Sequence, residues 1–155
     1  MFEILVNIYY TLYMSIILSP PGSGKTTWLN KNNKNNNKNS SKHIEDADIV
    51  LKDFHTCEYE NSKPCESHRK DHYLTIDKQL LNLRKEGRHI LGSLFWEVKA
   101  DVIVIIDSIE HQKRVSKRND LEWSKVELVI KSLNELAKKY NIPIVSSFDA
   151  IFNYI

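Results

Sequence analysis

The sequence predicts an α/β protein, in the form of a three-layer α/β/α domain built around a five-stranded parallel sheet. Short apolar segments alternate along the chain with longer segments whose apolar residues recur every three to four positions, as in amphipathic helices. Residues 102–106 are an uninterrupted run of Val and Ile between two aspartates, which is typical of a buried parallel strand. Because helical segments separate the strands, we expect parallel pairing with helices on both faces of the sheet.

Five segments are predicted strands. Apolar and β-branched residues dominate them, and polar residues bound them. In chain order they are residues 15–18, 43–46, 89–94, 102–106 and 142–146. Ligands of such sheets bind beyond the carboxyl ends of the strands. The candidate site residues that follow these ends are Asp46, Asp48, Gly92, Ser93, Asp107 and Ser147.

The predicted helices fill the intervals between the strands and close the chain. In order they are residues 26–31, 49–54, 73–86, 109–117, 124–140 and 148–155. Gly87 and Asn141 follow two of them, at the position where a left-handed residue commonly ends a helix. Ser124 is a predicted N-cap, because Glu127 stands three residues later and completes a capping box.

The composition fits one compact domain. The chain has 155 residues, of which 41% are hydrophobic, and its net charge of +2 is too small to indicate a nucleic-acid partner. Two cysteines do not form a disulfide framework, so we expect a reducing compartment and a cytoplasmic protein. The frequent Lys, Asn and Ile are typical of an AT-rich genome, such as that of a large DNA virus or a parasite. For a viral protein, the host cytoplasm or the virion is the expected location.

Residues 1–13 are expected to be an N-terminal extension, and residues 14–155 the domain itself. The extension is largely apolar, but Glu3 and Asn7 interrupt it and it is short for a membrane span. Met14 stands directly before the first predicted strand. We therefore expect no membrane anchor in this segment.

Two polar segments are predicted to lie outside the core. Residues 32–42 are rich in Asn and Lys and contain no apolar residue, so we expect a solvated loop. Residues 55–72 form a polar insertion with two cysteines and several histidines. The cysteines lack the usual spacing of a structural zinc site, so we expect no zinc there. The side chains that a zinc ion would use are Cys57, Cys65, His68 and His72.

The most specific signal is a glycine-rich segment directly after the first strand. It reads Ser19-Pro20-Pro21-Gly22-Ser23-Gly24-Lys25-Thr26 and leads into a predicted helix. In such a loop the backbone N–H groups turn toward an anion, the lysine reaches phosphate oxygens, and the hydroxyl of Thr26 is offered to Mg²⁺. Ser19 replaces the first glycine of the usual pattern, at a position that touches phosphate less than the later ones. The segment predicts a phosphate-binding loop.

Four charged residues are further candidates for phosphate chemistry. Asp46 and Asp48 follow the second strand, and either carboxylate can accept a hydroxyl proton or hold Mg²⁺ through water. Alternatively, Asp48 caps the helix at residues 49–54. Arg114 and Arg118 share one helix face, where their guanidinium groups suit phosphate oxygens; the alternative is a solvated basic face.

Taken in order, these segments resemble the small P-loop kinases: nucleoside monophosphate kinases, shikimate and gluconate kinases, and polynucleotide 5′-kinases. Residues 16–27 look like their first strand and phosphate loop, and residues 44–48 are similar to the D-x-D that ends their second strand. Residues 104–107 and 113–118 resemble the fourth strand and the R-x-x-x-R at the entrance to the lid, and residues 143–150 the last strand and helix. The resemblance covers most of residues 14–155 and implies the P-loop NTPase fold.

The resemblance also implies ATP-dependent phosphoryl transfer with Mg²⁺. The residues to which it assigns a catalytic role are Lys25, Asp46, Asp48 and Arg118. Thr26 is expected to hold the Mg²⁺ that accompanies the nucleotide. The residues implied in ATP binding are Pro21, Gly22, Ser23, Gly24, Lys25, Thr26, Thr27 and Arg114.

The chain departs from these kinases where they bind the acceptor. Neither D-G-[FY]-P-R nor G-G-G follows the third strand, and only four residues separate Arg118 from Trp123 where the lid would be. We therefore expect a kinase for a nucleoside, nucleotide or other small hydroxylated molecule, without naming that molecule. The alternatives are a polynucleotide 5′-hydroxyl kinase, in which the basic residues 34–42 hold a strand, and a non-catalytic nucleotide-binding module. As the partner, a small-molecule acceptor is favoured over a nucleic acid.

Overall fold

In the computed structural model of the chain, residues 15–38, 40–51, 77–93 and 99–155 are described. The strands in these ranges are β1 (Ile16–Leu18), β2 (Ile44–Asp46), β3 (His89–Gly92), β4 (Val102–Val104) and β5 (Ile144–Val145). They form one sheet in the order β2-β3-β1-β4-β5, and every pairing is parallel. The predicted α/β protein with a five-stranded parallel sheet is thereby confirmed.

Helices connect the strands. They are α1 (Lys25–Asn35), α2 (Ala47–Val50), α3 at residues 77–85, α4 (Ser108–Ser116), α5 (Trp123–Tyr140) and a closing 3-10 helix (Asp149–Asn153). Gly87 and Asn141, which follow α3 and α5, have φ angles of 73° and 54°. Both residues are in the left-handed region, so the two predicted helix ends are confirmed.

Successive strand residues point into two separate cores, one on each face of the sheet. Ile16 and Leu18 belong to a core that includes Leu80 of α3 and Leu133 of α5. Ile17 lies in the opposite core. That core also contains Leu29 of α1 and Ile151 of the 3-10 helix. Because strand side chains alternate between faces, a strand that is apolar at every position is stable only when both faces are covered.

The strand order places the ends of β1 and β4 side by side at the middle of the sheet. The chain leaves β1 toward β2 on one side and leaves β4 toward β5 on the other. In parallel sheets, such a reversal of direction opens a crevice at the carboxyl ends of the two strands, and ligands bind there. The glycine-rich segment follows β1 and α4 follows β4, so both border this crevice.

The prediction of a solvated loop from residue 32 onward is wrong for residues 32–35, which continue α1. The amide of Asn33 explains part of this extension. Its Nδ2 donates to the backbone oxygen of Ile44 at 2.7 Å, and its Oδ1 accepts from the backbone N–H of Ile44 at 3.3 Å. Because β2 is an edge strand, its outer backbone groups need partners, and this side chain supplies them.

The predicted N-cap of α5 is also wrong. The helix begins at Trp123, Glu122 occupies the cap position, and no side chain bonds the first turn. The ring of Trp123 packs edge-on against the ring of His111, with centroids 5.4 Å apart. This tertiary contact accounts for a helix start one residue earlier than the capping pattern indicated, since packing commonly overrides local propensity.

Several sequence predictions lie outside the described residues. These are the extension at residues 1–13 and the insertion at residues 55–72 with its four candidate zinc ligands. Among the helices in the described ranges, none has both the length and the apolar character needed to cross a membrane.

Candidate active site

The glycine-rich loop is tied to the sheet and packed against α4. The backbone N–H of Ser19 donates to the carbonyl oxygen of Gly92 at the end of β3, at 2.9 Å. Gly22 and Gly24 have φ angles of 77° and 94°, a conformation that other residues rarely adopt. A Cβ at Gly22 would also lie 2.7 Å from a methyl group of Val115 in α4. Both the backbone conformation and the lack of space therefore require glycine at position 22.

Ser19, which replaces a glycine of the usual pattern, has a structural role. Its hydroxyl lies 3.3 Å from the hydroxyl of Ser23, and both residues are fully buried. The bond spans the loop from its first residue to the residue before Gly24. Since each buried hydroxyl is the other's partner, the serine pair closes the loop without leaving a polar group unsatisfied.

The loop delivers the N-terminus of α1 to the crevice. Gly24 is the cap residue, no side chain bonds the first turn, and that turn contains no acidic residue. The first N–H groups of a helix have no partner inside the helix, and the helix dipole makes this end positive. In this arrangement the start of α1 is suited to bind an anion.

A cavity of about 440 Å³ opens in front of this helix end. Three cationic side chains and one carboxylate line it, so its electrostatic character favours an anionic ligand. Thr26 and Asp48 offer oxygen atoms to the same space, and these are the ligands that Mg²⁺ prefers. The lining residues are Pro20, Pro21, Gly22, Gly24, Lys25, Thr26, Thr27, Asp48, Ser93, Arg114 and Arg118.

Lys25 joins the glycine-rich loop to the end of β2. Its ammonium nitrogen lies 3.1 Å from Oδ1 of Asp46 and 3.0 Å from Oδ2 of Asp48. The side chain of Lys25 is 12% exposed, so most of the side chain is removed from bulk water, and the two carboxylates hold its ammonium group. The structure thus brings together three of the residues predicted to be catalytic.

The aspartate that caps α2 is not the one that the sequence suggested, which was Asp48. Asp46, not Asp48, caps the short helix α2, because its Oδ1 accepts from the backbone N–H of Asp48 at 3.0 Å. The side chain of Asp46 is 9% exposed, whereas that of Asp48 is 82% exposed and lines the cavity. Because α2 begins at Ala47, directly after β2 and two residues earlier than expected, Asp46 takes the cap position and Asp48 lies within the helix.

Arg114 and Arg118 both line the cavity but have different partners. Arg114 donates from Nη1 to the carbonyl oxygen of Ser23, and from Nε to Glu110 at 2.8 Å. The hydrogen bond from Arg114 is the main reason that the pKa of Glu110 is lowered. Arg118 instead forms two parallel bonds to the carboxylate of Asp120, which lowers the pKa of that carboxyl.

Two of the residues expected to act in ATP binding or catalysis do not line the cavity: Ser23, whose side chain is turned toward Ser19, and Asp46, which lies behind Lys25. Of the candidates that follow strand ends, Gly92, Asp107 and Ser147 do not line it either. Asp107, three residues after the end of β4, caps α4 and accepts from the backbone N–H groups of Ile109 and Glu110. In the described part of the chain, no three His, Cys, Asp or Glu side chains form a group that would hold a metal ion.

Sequence analysis missed His111. This residue is fully buried in α4, and its Nε2 lies 2.8 Å from the carbonyl oxygen of Pro21 in the glycine-rich loop. A signal was available, since His111 stands three residues before Arg114 and four before Val115. That spacing places all three on one helix face.

Comparison with family models and with curated proteins gives no relative from which a function could be transferred. No family model matches the chain, and no curated protein matches it at a significant level. Any functional assignment therefore depends on the residues and geometry described above.

Proposed function

We propose that the protein is an ATP-dependent phosphotransferase of the P-loop NTPase fold that acts on a small hydroxylated acceptor. One observation carries the proposal: the open N-terminus of α1, the ammonium of Lys25 and the carboxylate of Asp48 meet at a single cavity. The strand order, with the loop at the reversal point of a parallel sheet, supports the same assignment. Phosphoryl transfer requires positioning and neutralisation of phosphate charge, and these groups supply both.

Each residue has a defined task in this proposal. The N–H groups of the loop and the ammonium of Lys25 bind phosphate oxygens, while the hydroxyl of Thr26 holds the accompanying Mg²⁺. When bound, Mg·ATP supplies the phosphoryl group and the metal neutralises part of its charge. Asp48 accepts the proton of the acceptor hydroxyl at a carboxylate oxygen that faces the cavity. Arg118 lines the same cavity, and its guanidinium can donate to the phosphates once it exchanges Asp120 for them.

The binding test compares Lys25→Ala with Lys31→Ala, an exposed lysine of the same helix. Mg·ATP binds the folded state, so at a concentration of about 100 times Kd it should raise the melting temperature by roughly 5–10 °C. We expect Lys31→Ala to keep this shift and Lys25→Ala to lose most of it, because Lys25 reaches the phosphates. An equal shift in both variants would show that ATP binds elsewhere.

The activity test follows transfer from radiolabelled ATP to a panel of nucleosides, nucleotides, sugars and 5′-hydroxyl oligonucleotides. Label transfer to one of the small molecules is the expected result. Transfer to the oligonucleotide would identify a polynucleotide 5′-kinase instead. ATP binding without transfer to any of them would identify a nucleotide-binding module.

A further inference from the structure

Helix α4 presents two hydrogen-bond donors to the back of the phosphate loop. Nε2 of His111 lies 2.8 Å from the carbonyl oxygen of Pro21. Nη1 of Arg114 donates to the carbonyl oxygen of Ser23. The two donors are three residues apart on α4 and the two acceptors are two residues apart in the loop, so one helix face contacts alternate peptide groups.

The surroundings of His111 determine which ring nitrogen carries the proton. A carbonyl oxygen can only accept, so Nε2 must carry the hydrogen that it donates to Pro21. Nδ1 is buried and has no hydrogen-bond partner among the described residues. A bare lone pair in that position costs less than an unpaired N–H group, so the neutral Nε2–H tautomer fits this site.

Fixing these carbonyl groups also fixes the N–H groups that follow them. In a trans peptide the C=O of one residue and the N–H of the next point in opposite directions within one plane. A Pro21 oxygen held toward α4 therefore directs the N–H of Gly22 away from α4, and a held Ser23 oxygen does the same for Gly24. Both glycines have a positive φ, and a glycine linkage has few steric barriers to reorientation.

We propose that His111 and Arg114 are positioning residues that hold the peptide groups of the phosphate loop in the orientation that binds phosphate. The inference rests on the proposed function, because it assigns the loop a phosphate ligand. The packing agrees with it: a Cβ at Gly22 would meet Val115, and one at Gly24 would collide with Arg114. The loop and α4 thus fit closely. A substitution at position 111 or 114 therefore alters phosphate binding by altering the orientation of the loop backbone.

The test compares His111→Leu with His111→Gln by calorimetric titration with Mg·ATP and with inorganic pyrophosphate. Leucine fills the space without a donor, whereas the glutamine amide places an N–H near the position of Nε2. We expect Kd to rise about tenfold in His111→Leu and to stay within about threefold of wild type in His111→Gln, the size of one lost hydrogen bond. The KM of the acceptor should be unchanged, because the acceptor does not contact the loop carbonyls.

A purely structural role for His111 gives a different result. Both variants would then lower the melting temperature of the ligand-free protein while their folded fractions bind Mg·ATP with the wild-type Kd. That result would overturn the inference and leave the proposed function intact. For Arg114, the matched pair is Arg114→Met and Glu110→Gln, since the second variant breaks the Glu110 ion pair but keeps the bond to Ser23. Equal Kd values in these two variants would count against the inference.

A second measurement separates failure of the inference from failure of the proposed function. Nitrogen chemical shifts of the His111 ring in the ligand-free protein report which nitrogen is protonated. A protonated Nε2 with a slowly exchanging hydrogen is expected, and a proton on Nδ1 would overturn the inference whether or not ATP binds. If wild type binds neither Mg·ATP nor pyrophosphate, the proposed function fails. The protonated ring nitrogen then still shows whether His111 donates a hydrogen bond to Pro21.

Discussion

At the scale of single residues, Asp46 and Asp48 share one cationic partner but differ in burial. Asp46 is held by Lys25 and by the first turn of α2, which leaves little of its carboxylate for a ligand. Asp48 contacts Lys25 through one oxygen and is otherwise exposed to the cavity. We infer that Asp46 orients Lys25, and that Asp48 is the base that meets the acceptor.

This division predicts unequal effects for two conservative changes. Asp48→Asn should lower phosphoryl transfer by roughly 10²–10⁴-fold, the usual contribution of a positioned general base, with little change in melting temperature because the side chain is 82% exposed. Asp46→Asn should lower transfer less, since asparagine still caps α2. Neither change should weaken Mg·ATP binding, because each removes a carboxylate that competes with phosphate for Lys25. Full transfer activity in Asp48→Asn would rule out the proposed general base.

The conformation of the glycine-rich loop was predictable from sequence because its pattern depends on local backbone chemistry. Gly22 and Gly24 are required by their left-handed conformations, and Lys25 and Thr26 follow at fixed spacing. The choice between Asp46 and Asp48 was not predictable. It depends on the residue at which α2 begins, and helix starts shift by one or two residues without a clear sequence signal.

At the scale of elements, α1 shows how an apparently structureless sequence gains order from tertiary contacts. Nothing in residues 32–35 is apolar, and a helix with so little hydrophobic content has no intrinsic reason to continue. Asn33 supplies a reason by pairing with both backbone groups of Ile44. Long-range pairing of this kind cannot be read from a local composition that is typical of loops.

The contact between Asn33 and Ile44 predicts that replacing asparagine by alanine affects stability differently at two positions of α1. Asn33→Ala leaves the outer backbone groups of Ile44 without this partner and should reduce the free energy of unfolding by about 1 kcal/mol. Asn30→Ala, at an exposed position of α1, makes the same change in helix propensity and should be neutral or stabilising by a few tenths of a kcal/mol. Urea denaturation of both variants measures the difference. Equal unfolding free energies would mean that Asn33 does not support β2.

At the scale of the whole molecule, the strand order explains why residues distant in the sequence meet at one site. The first and fourth strands are neighbours, so the loop after β1 lies against α4, about 90 residues later in the chain. Alternation of strands and helices indicated the parallel sheet, because each local period is visible in the sequence. The order of strands is a global property, and without it the contact between His111 and Pro21 was not predictable.

At the amino-terminal ends of β1 and β3, His89 makes the stability of the protein depend on pH. Nδ1 of His89, at the start of β3, accepts from the backbone N–H of Ser15 at 3.1 Å, where the chain enters β1. Desolvation by burial lowers the pKa of His89 below its usual 6.5, and this effect exceeds the opposing influence of Ser41 and Asp101. A protonated Nδ1 could not accept this bond, so folding favours the neutral ring.

The sign of the pH dependence follows from this lowered pKa. Between the folded-state pKa and 6.5, the unfolded chain binds more protons at this position than the folded protein does. The free energy of unfolding should therefore fall as the pH drops below 6.5 and level off below the folded-state pKa. The lowered pKa values of Glu110 and Asp120 act at a lower pH, below their usual 4.5 and 3.8.

His89→Asn keeps an acceptor for the Ser15 N–H without a titrating ring, so urea denaturation from pH 7.5 to 5 should show a smaller loss of stability than in wild type. Parallel curves for the two proteins would show that His89 does not contribute to the pH dependence.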